Sequence, residues 1–309
     1  MKKITAFLLF IILFSCEKDD NSAPIEIINS LDVSVNGTSY KLINENIGGN
    51  ENCDALYIST FYYEKDKIQF RLKFDIKKNG ELKQVWYDEY DRSPNAPSPQ
   101  LLKIFLTPNF NPLSTFSIEN FEYNPLNNNI KFDFSGTVFL ENQNHISREL
   151  SGSIGIKSFN SVNCSVVNTG IEYFSENINL NSYHNYRTKY NNQTQLHRYF
   201  SNNGYRLEIN IEQDFWNFPV GTAFEFEETS VQNKVSFYKY IGNLTANQNP
   251  TLNLNEWKNY DTRGNFIIEE KIYENGHKKI VGKINMEVLE NNETNYTISG
   301  LKFSTGSFE

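Results

Sequence analysis

The chain has 309 residues, 39% hydrophobic, 15% aromatic and 21% charged, enough apolar material for one large core or two ordinary ones, which excludes a disordered chain. Its formal charge is -8 and no basic stripe runs along it, so nucleic acid is excluded as a partner because a net acidic surface repels phosphate. The 44 asparagines are interspersed among regular patterns and form no tracts, so they read as genome bias and not as a prion-like segment.

Lys2 and Lys3 precede an almost unbroken apolar run from Ile4 to Phe14. That run is about half the roughly 20 residues a spanning helix requires, so residues 1–15 have the layout of a secretory signal peptide. Leu13-Phe14-Ser15-Cys16 resembles the lipobox of bacterial lipoproteins, with Phe14 departing from the commoner small or aliphatic choice. The resemblance implies cleavage before Cys16, diacylglycerol on its thiol and usually a further acyl chain on its amine. Each buried CH₂ contributes about 0.8 kcal/mol and one chain alone holds marginally, so several chains anchor the protein to a membrane that it does not span. Loss of Lys2 and Lys3 with the signal takes the charge to -10. Glu17-Lys18-Asp19-Asp20 resembles the export signal of Bacteroidota surface lipoproteins, which implies the outer membrane and its extracellular side. An ordinary solvated tether over residues 16–30 fits the same charges.

From Leu31 onward strand signals dominate, and the "VNGTSYKL" opening resembles that of Bacteroidota lipoproteins. In "IQFRLKFDI", Ile68, Phe70, Leu72, Phe74 and Ile76 alternate with polar residues, and in "GYRLEINIEQ", Tyr205, Leu207, Ile209 and Ile211 alternate with Arg206, Glu208, Asn210 and Glu212. Period two with one apolar face predicts a half-buried strand, one face to the core and the other to water. Asn-Gly pairs at 36–37, 79–80, 203–204 and 275–276 predict tight hairpins, because both residues tolerate positive φ. No window keeps a 3.6-residue apolar stripe, so helices are expected to be few and short.

A weak internal repeat sets "FSGTVFLENQNHISRELSG" (134–152) over "IVGKINMEVLENNETNYTISG" (280–300), with "FRLKFDI" at Phe70 and "YRLEINI" at Tyr205 upstream in the same order. Gly136 and Gly282 fall on the apolar parity of their strands, where a bulge or sharp coil is expected. The expectation is an all-β chain of two tandem antiparallel sandwich or barrel-like modules, residues 31–162 and 163–309, each of ordinary domain size. One larger β domain is the rival. With Cys16 assigned to lipid, Cys53 and Cys164 make a candidate pair. A disulfide would close a loop of about 110 residues and contribute about 4 to 5 kcal/mol, and two buried reduced thiols fit equally well.

No H-E-x-x-H, phosphate-binding glycine loop or paired C-x-x-C is present. His145, His184, His197 and His277 share no ligand spacing and read as solvated loop histidines, so no metal or cofactor is expected. The most suggestive constellation is "WYDEYDR", where Trp86, Tyr87, Asp88 and Tyr90 precede a proline-rich loop; aromatics beside carboxylates suit a sugar face and its hydroxyls. Trp86 closing a core while the carboxylates solvate the loop is the plainer account. Trp216 and Trp257 add aromatics near turns in the second module. Together these features predict a non-catalytic binding protein for a glycan or an envelope protein. A carbohydrate-active enzyme with two strand-borne carboxylates about 5 to 10 Å apart and a structural envelope-assembly subunit are the alternatives.

Overall fold

The computed structural model describes residues 28–44, 46–64, 67–90, 100–162, 169–176, 178–190, 194–274 and 276–307. The signal expectation and the tether as far as residue 27, with Cys16, Cys164 and Asp91, lie outside the described residues, and Ser30, expected to end the tether, instead opens the first strand and pairs with Ile43. Eleven strands make one sheet: β1 (Ser30–Val35), β2 (Thr38–Ile43), β3 (Ile47–Asn52), β4 (Ala55–Glu64), β5 (Lys67–Lys77), β6 (Leu82–Tyr90), β7 (Leu101–Leu106), β8 (Phe116–Asn124), β9 (Asn129–Leu140), β10 (Gln143–Ile156) and β11 (Asn160–Val162). Nine make a second: β12 (Gly170–Glu172), β13 (Ser182–Tyr190), β14 (Thr194–Ser201), β15 (Tyr205–Ile211), β16 (Ala223–Phe226), β17 (Lys234–Tyr240), β18 (Trp257–Glu274), β19 (His277–Glu290) and β20 (Glu293–Gly306). The protein is all-β; no α-helix occurs among the described residues, and no helix there is long and apolar enough to cross a membrane.

The first sheet runs β11-β3-β4-β5-β6-β7-β9-β10-β1-β2, with β8 attached to β9. Its interior draws on Leu31, Ile58, Phe74, Tyr87, Phe105, Phe134 and Ile154, from strands along nearly its whole width, so the sheet curls around one core. The second runs β12-β20-β19-β18-β17-β15-β14-β13, with β16 on β18, around Leu207, Phe237, Phe266, Ile284 and Phe303. Each such side chain contributes about 1.5 to 3 kcal/mol over an exposed one.

The Asn-Gly pairs at 36–37, 79–80 and 203–204 sit between paired strands, and Gly276 precedes β19. Asn36 and Gly37 take φ of 48° and 81° in the two-residue β1–β2 turn, and Gly80, Gly204 and Gly276 also have positive φ. The expected irregularity is present at Gly282, whereas the β9–β10 register runs through Gly136 without a slip. At Gly136 (φ 153°) β9 leaves β8 and goes on to pair with β7, and Gly282 faces Ile268 where the β18–β19 register slips. The repeat has a topological counterpart: β5 and the β9–β10 hairpin are separated in their sheet by β6 and β7, and β15 and the β19–β20 hairpin by β17 and β18.

The alternation fails in two places. The β4–β5 register slips at Gln69, so Gln69 is buried (4% exposed) and Ile68 is not, although the sequence keeps period two through both. On β15 the face expected to meet water is covered: Arg206 is 2% and Glu208 8% exposed. What covers it is the seam between the sheets, where Phe110, Phe200, Tyr240 and Trp257 form a separate aromatic cluster.

That seam is pinned by backbone pairing. Asn109 N donates to Thr245 O (2.8 Å), and the Asn109 amide grips Asn247 through Nδ2 to O (2.9 Å) and Oδ1 from N (2.7 Å). Asn202 Nδ2 donates to Leu82 O at 2.9 Å, and Gln248 bonds both oxygens of Glu141. These contacts hold Phe110 at φ 62°, a left-handed conformation costly for a bulky side chain, which survives only where surroundings enforce it.

Cys53 is disulfide-bonded. Parallel β11 sets Val162, two residues before Cys164 in sequence, opposite Asn52, the neighbour of Cys53.

Candidate functional site

Three rows cross the outward face of β4, β5 and β6: Tyr57–Asp75–Gln84, Ser59–Lys73–Trp86 and Phe61–Arg71–Asp88. They arise because alternate residues of neighbouring strands share a face. A register slip between Gln84 and Leu82 turns Lys83 toward the same side, with Nζ 3.9 Å from Asp75 Oδ1. Opposite this wall stand Arg198 and Phe200 of β14 and the connection from Asn247 to Leu252, with Asn109 and Phe110 at the base. The cleft has a volume of about 860 Å³, inside the usual range for ligand sites. Gln84 is fixed in it by Nε2 donating to Thr107 O (2.8 Å) and Oγ1 (3.0 Å).

Asp75 is the most perturbed group in the wall. Burial pushes its carboxyl up to about 6, with Lys83 opposing and Asp54 assisting, and its Oδ1 has no hydrogen-bond partner. Because the folded state holds this proton more tightly than the unfolded chain, Asp75 disfavours folding above its folded pKa and the cost vanishes as pH falls toward 4. Asp75→Asn is therefore expected to raise stability near pH 7 by on the order of 1 to 3 kcal/mol and to change nothing at pH 4. Urea unfolding at both pH values measures this; an equal effect at each would refute it.

The sequence-derived candidates divide. Trp86 is half-buried in the cleft wall, with Lys73 Nζ 5.1 Å from its ring centre, and Tyr90 is half-buried at the end of β6. Tyr87 faces the core and not the cleft: it is 3% exposed between Phe70 and Phe105, because it has the core parity of β6. Asp88 does not solvate a loop. It is 1% exposed and taken by Arg71 (Nε to Oδ2, 2.7 Å) and Lys73 (3.4 Å). Glu89 pairs with Arg148 at 2.7 Å. Trp257 belongs to the seam cluster at 6% exposure. Trp216 stands apart from the cleft, against Tyr273, Lys271 and Lys278.

The reading of the histidines as solvated fails for His197, which is 1% exposed on β14, Nδ1 2.6 Å from Thr305 Oγ1 and Nε2 3.3 Å from Gln195 Oε1. His145 and His277 are exposed and His184 lies on β13. Among the described residues no group of three or more His, Cys, Asp or Glu is placed to hold a metal.

Tyr57, Asp75, Gln84, Asn109, Phe110 and Arg198 carry no mark in the sequence that sets them apart as site residues. For the opposite wall a signal exists in the long strandless connection from β17 to Leu254, since such loops are uncommon unless functional. No protein-family model, curated protein or solved structure matches this chain.

Proposed function

We propose that the chain is a lipid-anchored outer-membrane protein, displayed on the cell surface, that holds a ligand between its two β modules without converting it. The observation that carries the binding role is the preformed cleft at the seam, where Trp86 and Tyr57 stand among side-chain amides contributed by both sheets. Binding is favoured over glycoside hydrolysis because the latter uses two carboxylates about 5 to 10 Å apart. Asp75 is the one carboxylate among the described residues that line this cleft. The anchoring role rests on the lipobox-like Leu13–Cys16 and the acidic stretch that follows.

Metabolic labelling with an alkynyl fatty acid tests the anchor. Wild-type protein is expected to take the label, to sediment with outer membranes and to be digested by protease added to intact cells. Cys16→Ser is expected to accumulate as unlabelled precursor; normal maturation of that variant overturns the anchor. Incubating purified protein with glycan and peptide panels is expected to release no fragments. Release abolished by Asp75→Asn would show an enzyme instead.

A further inference from the structure

We infer that the ligand is a neutral oligosaccharide that runs from the seam onto the outward face of β3 to β6, one of its rings stacked on Trp86. This rests on the cleft being the binding site and adds its chemical class. The cleft is one segment of a longer groove. A second cavity of about 580 Å³ shares its Tyr57 and Trp86 walls and extends across the sheet to Asn46 and Asn50. A third, of about 620 Å³, shares Asn109, Phe110 and Asn247 and runs past Asn144. Trp86 and Tyr57 thus stand where two cavities meet, the place for a stacking platform inside a chain of subsites.

The lining selects the class. Amide side chains both donate and accept, as sugar hydroxyls do, and they recur along the groove at Asn46, Asn50, Asn144 and Asn249. A charged ligand needs unspent opposite charge, but the cations of the wall are engaged: Lys73 with Asp88 at 3.4 Å, Arg198 with Glu208, and Lys83 beside Asp75 at 3.9 Å. Asp75 adds a buried acceptor to this wall, its Oδ1 without a hydrogen bond. A peptide that binds by strand addition needs a free strand edge. The strands that carry Trp86, Lys73 and Asp75 are bonded on both sides, β5 between β4 and β6 and β6 between β5 and β7.

The test is calorimetric titration of the mature protein with glucose, mannose and xylose oligomers of one to six units. Oligogalacturonates and a mixed unstructured peptide set serve as comparators. At least one neutral series is expected to bind, tighter by tenfold or more from monomer to hexamer. Trp86→Ala should weaken it at least about tenfold, as loss of a central aromatic anchor does, while Trp86→Phe retains most affinity. An unchanged unfolding transition for Trp86→Ala separates loss of the platform from loss of the fold. Binding of uronates or peptides alone, abolished by Trp86→Ala, would overturn the neutral-sugar assignment and keep the cleft. Neutral-sugar binding that ignores Trp86→Ala, or no binding to any set, would overturn the cleft as well.

Discussion

Gly264→Ala is expected to destabilise the second sheet by at least about 3 kcal/mol, among the larger effects a single methyl group produces. Gly264 lies mid-way along β18 at φ 155°, where that strand leaves β17 and begins to pair with β16 while staying bonded to β19. A Cβ there would stand 2.7 Å from Met286 Cα and nearer still to Asn285 O, both backbone atoms of central β19. Neither can retreat without breaking the ladder, so the clash adds to the unfavourable φ. Gly221→Ala is the control: its φ is 88° but nothing lies within 4 Å of where the new methyl would sit, and only about 1 kcal/mol is expected. Thermal unfolding distinguishes them, with Gly264→Ala lower by roughly 6 °C or more. Equal transitions for the two variants would show that the sheet bends without help from the glycine.

Glu208→Gln is expected to cost about 3 kcal/mol although it removes no volume. Arg206 is 1% exposed at its side chain, its guanidinium 3.8 Å from the Tyr238 ring centre and 4.8 Å from that of Trp257. Burial pushes this guanidinium down from its ordinary pKa and Glu208, 3.3 Å from its Nε, opposes the shift. Glu208 also accepts from Arg198 Nε and, at 3.4 Å, from Tyr238 Oη. Neutralising the carboxylate leaves a buried cation facing Arg198 with no counter-charge. Glu208→Gln combined with Arg206→Met should recover most of the loss, because a matched apolar replacement removes the uncompensated charge. Urea titration of both single variants and the double closes the cycle; additive losses would show that the pair does not interact.

Much of the fold was legible because it depends on neighbours in sequence. Leu72, Phe74, Ile76, Leu207, Ile209 and Ile211 are all buried as their period predicts, and the Asn-Gly pairs mark turns because those residues accept positive φ. Genome bias alone does not account for the asparagines, which also have a backbone role. Among the described residues, nine of the eleven non-glycine positions with positive φ are Asn, the residue that best tolerates that region after glycine. The slip at Gln69 was invisible, since a bulge is decided by the partner strand as much as by its own.

The site was legible only at Trp86. Its neighbours Tyr87 and Asp88 read equally well as ligand residues, yet one took the core parity and the other met Arg71 across the strand pair. Strand parity, turn positions and the all-β class follow from the sequence by itself, being set by residues two to four apart. Which outward face stays wet is set by contacts such as Asn109 to Asn247 and Asn202 to Leu82, 138 and 120 residues apart. No local period encodes such pairings. The tertiary structure alone therefore decided that the polar face of β15 is buried at the seam while that of β6 opens into the cleft.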